Sequence, residues 1–124
     1  MLGSAKIVAF APITDAQRAR RFYETVLGLR FLSQDPFALV MDANGTTLRL
    51  ALVQSFQPAP FTVLGWEVAA IQDTVTALEQ RGVAFERFPG MPQDDLGIWT
   101  APGGTKVAWF KDPDGNLLSV SQIV

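Results

Sequence analysis

The sequence predicts an α+β protein made of two βαβββ modules. Three observations carry this: an internal repeat, two matching Asp-x-x-Gly turn signals, and one amphipathic helix pattern in each half. The string DANGTTLRL at Asp42–Leu50 returns as DPDGNLLSV at Asp112–Val120, at a constant offset of 70 residues. The earlier parts of the two halves align as well. Lys6–Pro12 and Phe61–Glu67 are apolar runs of strand length, each leading into helical periodicity. Gly28 and Gly82 then stand where a helix ends and a new strand begins.

In the first module, Thr14 or Asp15 caps a helix running to about Leu27. Ala16, Ala19, Phe22, Tyr23 and Val26 form its buried stripe. Arg18, Arg20, Arg21 and Glu24 fall largely off that stripe and read as a solvated face. Strands are expected near 29–34, 37–42 and 46–53, with Asn44-Gly45 as a two-residue hairpin turn. In the second module the helix spans about Ile71–Arg81, with Ile71, Val75 and Leu78 inward. Strands are expected near 83–88, 105–111 and 116–122, with a short extra strand at 97–101 and Asp114-Gly115 as the matching turn. The chain therefore reads as one domain, 1–124: module one at about 5–53, a prolyl linker at 54–60, and module two at about 61–122. A single helix covers only one face of a four-stranded sheet. Two such modules with their bare faces opposed are expected to form a cleft for a ligand.

Composition narrows the function classes. Hydrophobic residues make up 48% and charged residues 18%, the balance of a packed globule. Net charge is −2 and no basic run occurs, so nucleic acid is not an expected partner. No apolar run approaches the roughly 20 residues needed to span a bilayer. Without an export signal, the chain reads as cytoplasmic. Cysteine is absent, which removes disulfides and thiol chemistry. Histidine is absent too, which excludes every Ser–His, Cys–His or His-ligated metal arrangement.

Two motifs carry a family resemblance. Thr14-Asp15 followed by ARRFYETVLGL at Ala19–Leu29 resembles the "D…ARxFYxxVLGL" signature of the vicinal-oxygen-chelate superfamily, which holds glyoxalases, bleomycin-resistance proteins and extradiol dioxygenases. FKDPDGN at Phe110–Asn116 resembles that superfamily's turn before its last strand. The resemblance spans essentially the whole chain. It implies a glyoxalase-like domain in which two βαβββ modules make an incomplete barrel around a central cleft, and it implies a homodimer.

In metal-dependent members of that superfamily, four inward strand positions supply His and Glu ligands. Carried over singly, these positions fall on Val8, Arg49, Val63 and Ser119. Two are aliphatic, one is a cation, and one is a weak neutral oxygen, so no metal and no other cofactor is expected. Strand alternation groups Val8 with Phe10, Arg49 with Thr47 and Ala51, Val63 with Gly65 and Glu67, and Ser119 with Leu117 and Ser121. The candidate ligand-binding residues are Phe10, Arg49, Glu67, Trp99 and Ser119. Arg49 has three readings: a fork for a ligand anion, an internal ion pair with Glu67, or an arginine at the rim. Glu67 is the one candidate general base on these strands, and the alternative is a structural partner or an exposed strand end. Trp99, Trp109 and Phe10 are stacking candidates, whereas Trp66 falls on the helix side. Segment 89–97 breaks the repeat. It reads either as a lid over the cleft, with Met91 and Trp99 reaching in, or as a surface loop in which Asp94-Asp95 is solvated.

Three functions fit. The first is a metal-independent protein that binds a small organic molecule in the cleft, of the sequestration or resistance type. The second is a metal-free lyase or isomerase using Glu67 and Arg49. The third is an interaction module with a filled cleft.

Overall fold

The computed structural model describes residues 1–124 and divides into two compact units, Met1–Gln57 and Pro58–Val124. The division falls inside the segment read as a linker.

The first unit begins with a short 3-10 turn, Leu2–Ser4, and then β1 (Val8–Ile13). Helix α1 (Ala16–Arg20) runs on into a wider π-helical turn at Arg21–Val26. The strands β2 (Arg30–Gln34), β3 (Ala38–Ala43) and β4 (Thr46–Leu52) follow. Their sheet has the order β1-β4-β3-β2, with β1 parallel to β4 and the other pairs antiparallel. Parallel neighbours need a long crossover, and the helix and two strands between β1 and β4 supply it.

Local chemistry sets these elements. The Asp15 carboxylate accepts a hydrogen bond from the Arg18 backbone N–H at 3.0 Å, so Asp15 rather than Thr14 is the helix cap. The helix ends at Gly28, whose φ of 82° only glycine adopts without strain, and the Leu29 N–H closes back onto the Tyr23 carbonyl at 2.9 Å. The π-helical widening was not foreseen from the sequence. Its bonds skip one residue further than in an α-helix, as in Leu27 N–H to the Phe22 carbonyl at 2.9 Å. The buried stripe keeps its place, with Ala19 and Tyr23 sealed and Phe22 packed edge-on to Tyr23 at 5.3 Å. Across from it, Ala11, Ile13, Leu39, Met41, Leu48 and Leu50 fill the helix-facing side of the sheet. Each large apolar side chain sealed this way contributes about 1.5–3 kcal/mol. The arginines of the helix face are more engaged than solvation alone requires. Arg20 pairs with Glu24 at 3.0 Å and lies 3.6 Å over the Phe31 ring, and Arg18 donates to Thr14 Oγ1 at 3.1 Å.

The second unit repeats the plan with β5 (Leu64–Glu67), α2 (Ile71–Gln80), β6 (Trp99–Thr100), β7 (Lys106–Lys111) and β8 (Leu117–Gln122). The sheet order is β5-β8-β7-β6, again with the first and last strands parallel. The register repeats too. Phe10 pairs with Arg49 in one unit and Gly65 with Ser119 in the other, at equivalent places in the two sequences. Ile71 and Val75 of α2 seal against Ala108, Phe110, Leu118 and Val120. Both sheets are open rather than closed into barrels.

Two expectations need correction. The strand expected at 83–88 reduces to a single bridge, Phe85 with Phe110, and one further hydrogen bond from Glu86 N–H to the Trp109 carbonyl at 2.8 Å. Beyond Glu86, side chains replace the ladder. The Gln93 amide accepts from Phe88 N–H at 2.8 Å and donates to the carbonyls of Glu86 and Gly97 at 2.9 and 2.8 Å. Hydrogen-bonding demand is met, so no extended strand is needed there. The second turn is also not a copy of the first. Asn44 and Gly45 both have positive φ, as a two-residue turn requires, whereas at Asp112–Asn116 only Gly115 does. Pro113 fixes its own φ near −65° and so forces the longer turn.

The Gln93 clamp is directly testable. Gln93→Ala leaves three backbone groups without their partner, at a local cost of about 1–3 kcal/mol. Hydrogen exchange at the Phe88 amide should accelerate while the β7–β8 amides stay protected. Uniform acceleration across the unit would contradict the clamp.

Candidate functional site

The side chains of interest lie on the sheet faces turned away from the helices. In the first unit this face carries Val8, Phe10 and Pro12 from β1. Thr47, Arg49 and Ala51 come from β4, with Ala38, Val40 and Asp42 from β3, as the register dictates. Phe10 is 61% exposed, a large apolar side chain standing open beside an arginine. Arg49 sits on a central strand between Phe10 and Val40. Its ion-pair partner is Asp35, at 3.7 Å, which the sequence had not singled out. Asp35 lies in the β2–β3 turn, where its Oδ1 accepts from the Phe37 and Ala38 N–H groups at 2.7 and 2.9 Å. Those two bonds, and then the charge of Arg49, hold its carboxyl below the usual carboxylate range.

In the second unit the equivalent face carries Gly65 and Glu67 from β5 and Leu117, Ser119 and Ser121 from β8. Val107, Trp109 and Lys111 come from β7, and Trp99 from β6. Trp109 is the centre of an aromatic group. Phe88 meets it edge-on at 5.4 Å, and Trp99 lies beside it at 6.1 Å and a 38° tilt. The Trp109 indole N–H donates to Thr62 Oγ1 at 3.1 Å, which fixes the ring's orientation. Ser119, opposite both Gly65 and Trp109, is buried. A Cβ at position 65 would lie 2.8 Å from Ser119 Oγ, so the glycine leaves the hydroxyl its room. Val63 precedes β5, its N–H bonded to the Leu117 carbonyl at 2.9 Å. Trp66 pairs in register with buried Val120, on the helix side.

Phe88, Thr62 and Asp35 were not named from the sequence. Phe85 packs against Phe110 at 5.5 Å on one face of β7, while Phe88 meets Trp109 on the other. Glu67 stands exposed at the end of the edge strand β5, opposite Ser121. A carboxylate so open to water lacks the enclosed, oriented setting that a general base uses.

Segment 89–97 is tied down at several points. Besides the Gln93 clamp, the Arg87 guanidinium donates to the Asp94 and Asp95 carbonyls, both at 2.6 Å. The Asp94 carboxylate, read from the sequence as solvated, accepts from the Leu96 and Ile98 N–H groups at 2.9 Å each. Moving this segment would mean breaking those bonds together.

A shallow depression of about 270 Å³ lies elsewhere, at the start of α2, lined by Ala70, Ile71, Asp73, Lys106 and Gln122. The Gln122 side chain already accepts the Ile71 N–H at 2.9 Å, which occupies the amide that a bound anion would use.

This architecture has a name. The family model "Glyoxalase/Bleomycin resistance protein/Dioxygenase superfamily" matches residues 6–120. The chain belongs to that superfamily. No curated protein sequence matches it. Solved structures do match its fold. A glyoxalase family protein from Enterococcus faecalis has a TM-score of 0.76 at 20% identity, covering 98% of this chain and 100% of that one. Lactoylglutathione lyase from Agrobacterium tumefaciens has a TM-score of 0.74 at 18% identity, covering 96% and 93%. TnmS3, an antibiotic binding protein from Streptomyces sp. CB03234, has a TM-score of 0.67 at 23% identity, covering 98% of both. At the positions that the resemblance assigns to the metal ligands stand two valines, an arginine and a serine. Val8, Arg49, Val63 and Ser119 offer no set of anionic or imidazole donors, and nowhere are three or more His, Cys, Asp or Glu side chains gathered to hold an ion.

Proposed function

We propose that this superfamily member binds a small organic molecule without a metal ion, and does so to sequester it rather than transform it. The observation that carries the reading is the group Phe88, Trp99 and Trp109 on the face of the second sheet turned away from α2. A planar ligand gains most from rings already held in place, because little side-chain entropy is then lost on binding. The Thr62 bond gives Trp109 that property. Buried Ser119 beside the glycine at position 65 supplies a polar point among apolar walls, the usual composition of a small-molecule site. The fold shared with TnmS3, whose description is antibiotic binding, is consistent with this. A cytoplasmic setting and a homodimeric state belong to the same proposal, and sedimentation at micromolar concentration tests the second.

The direct test is a tryptophan-fluorescence titration with planar aromatic compounds, antibiotics included, in the presence of EDTA. We expect saturable quenching by at least one compound, an affinity indifferent to EDTA, and a loss of tenfold or more in Trp109→Ala. A panel without any binder, or a Trp109→Ala variant that binds as well as the parent, refutes the reading.

A further inference from the structure

The helix-averted face of the first sheet has a charge that its own protein does not satisfy. Arg49 stands on a central strand with apolar neighbours on both sides, Phe10 on β1 and Val40 on β3. Its guanidinium carries five N–H donors. The nearest carboxylate oxygen, Asp35 Oδ2, is 3.7 Å from Nη2, inside ion-pair range but beyond a hydrogen bond. The other Asp35 oxygen is committed to the Phe37 and Ala38 amides, so the turn itself keeps this carboxylate from closing onto Arg49. Both side chains remain more than a third exposed, at 38% and 47%, and a pair of that kind contributes little to stability. A fork-shaped cation with open donors, beside a 61%-exposed phenyl ring, matches a carboxylate attached to an apolar or aromatic body.

We propose that Arg49 recognises the carboxylate of an organic acid ligand, with Asp35 as a positioning residue whose negative charge an incoming carboxylate must overcome. This site lies on the first unit and goes beyond the binding face proposed above, which lies on the second. Asp35 holds the guanidinium over the sheet in the free protein. It also raises the threshold, so that a weakly held anion such as chloride does not occupy the site, while a bidentate carboxylate backed by contact with Phe10 does. The ligand class is therefore an aromatic or bulky aliphatic carboxylate.

The experiment compares sodium benzoate with benzamide, its neutral counterpart, by NMR titration of the intact chain, including the Arg49 Nε–H signal. The parent should bind benzoate at least fivefold more tightly than benzamide, with the Arg49 signal shifting on saturation. Arg49→Gln should bring the two affinities together, and Arg49→Lys should restore part of the preference. Asp35→Asn keeps an oxygen for the Phe37 and Ala38 amides but removes the charge. It should tighten benzoate roughly threefold to tenfold and leave benzamide unchanged. A role in the turn alone would move both probes equally, and that result overturns the assignment of Asp35. Equal affinity for the two probes in the parent, or a benzoate preference that survives Arg49→Gln, overturns the assignment of Arg49. If that happens while Trp109-dependent quenching persists, the binding function stands and only this inference falls. If no aromatic probe binds at all, both fall.

Discussion

Phe110→Ala is expected to destabilise the protein by about 3–5 kcal/mol, the range for an aromatic side chain removed from a sealed core. Phe110 is 1% exposed and packs against Phe85 at 5.5 Å on the α2 side of β7. Its chain neighbour Trp109 provides the control. Trp109 points to the other face of the same strand, half-buried against Phe88 and Trp99. Trp109→Ala removes a larger side chain, yet it should cost less, about 1–2 kcal/mol, because an open site leaves no sealed cavity behind. Urea unfolding of the two variants checks the pair. Phe110→Ala should lose stability, and Trp109→Ala should mainly lose ligand binding. The reverse order would mean that the aromatic face is core and not a ligand surface.

Asp112→Ala should cost roughly 2–4 kcal/mol, since bonds to a charged acceptor contribute about 1.5–3 kcal/mol each and do not add fully. Asp112 and Asn116 are two of the few buried polar residues, at 5% and 2% exposure. The Asp112 carboxylate accepts from the Asp114 and Asn116 backbone N–H groups, both at 2.9 Å, and from Asn116 Nδ2 at 2.8 Å. Removing it takes the charged acceptor away from all three donors. Asp112→Asn keeps an acceptor for the two backbone donors and should cost about 1 kcal/mol. Thermal unfolding separates the two variants. Equal shifts for both would mean that the turn depends on the Pro113 and Gly115 backbone and not on this carboxylate.

Much of the fold was legible because the signals were local and repeated. The helix stripe through Ala19 and Tyr23, a cap at Thr14 or Asp15, the stop at Gly28 and the Asn44-Gly45 turn each follow from side-chain type and spacing, and the Arg18 N–H bond settles the cap on Asp15. The strand expected at 83–88 failed for a non-local reason. Its backbone is satisfied by the Gln93 side chain, and no propensity of residues 83–88 encodes a partner that follows five residues after Phe88. The candidate site was legible only in outline. Alternation placed Phe10, Arg49 and Ser119 on the faces averted from the helices, and Trp99 and Trp109 stood beside them only as stacking candidates. It could not say that Arg49 would find Asp35, because a turn carboxylate shows its direction only once its backbone bonds are set. Glu67 shows the converse limit. Its strand and face followed from the pattern, but its exposure depends on β5 being an edge strand.

The parallel pairing of first and last strands has a consequence for biosynthesis. Val8 finds Thr47, and Leu64 finds Leu118, only after everything between them has been made. The β2–β3 and β6–β7 pairs can form earlier, but neither first strand can meet its sheet neighbour while the fourth strand is still within the ribosome. Until then β1 or β5 waits with a bare edge, and closing so long a loop before any reward is slow. Each unit should therefore complete its sheet late, its last strand acting as the latch, on the millisecond-to-second scale of proteins rich in distant contacts.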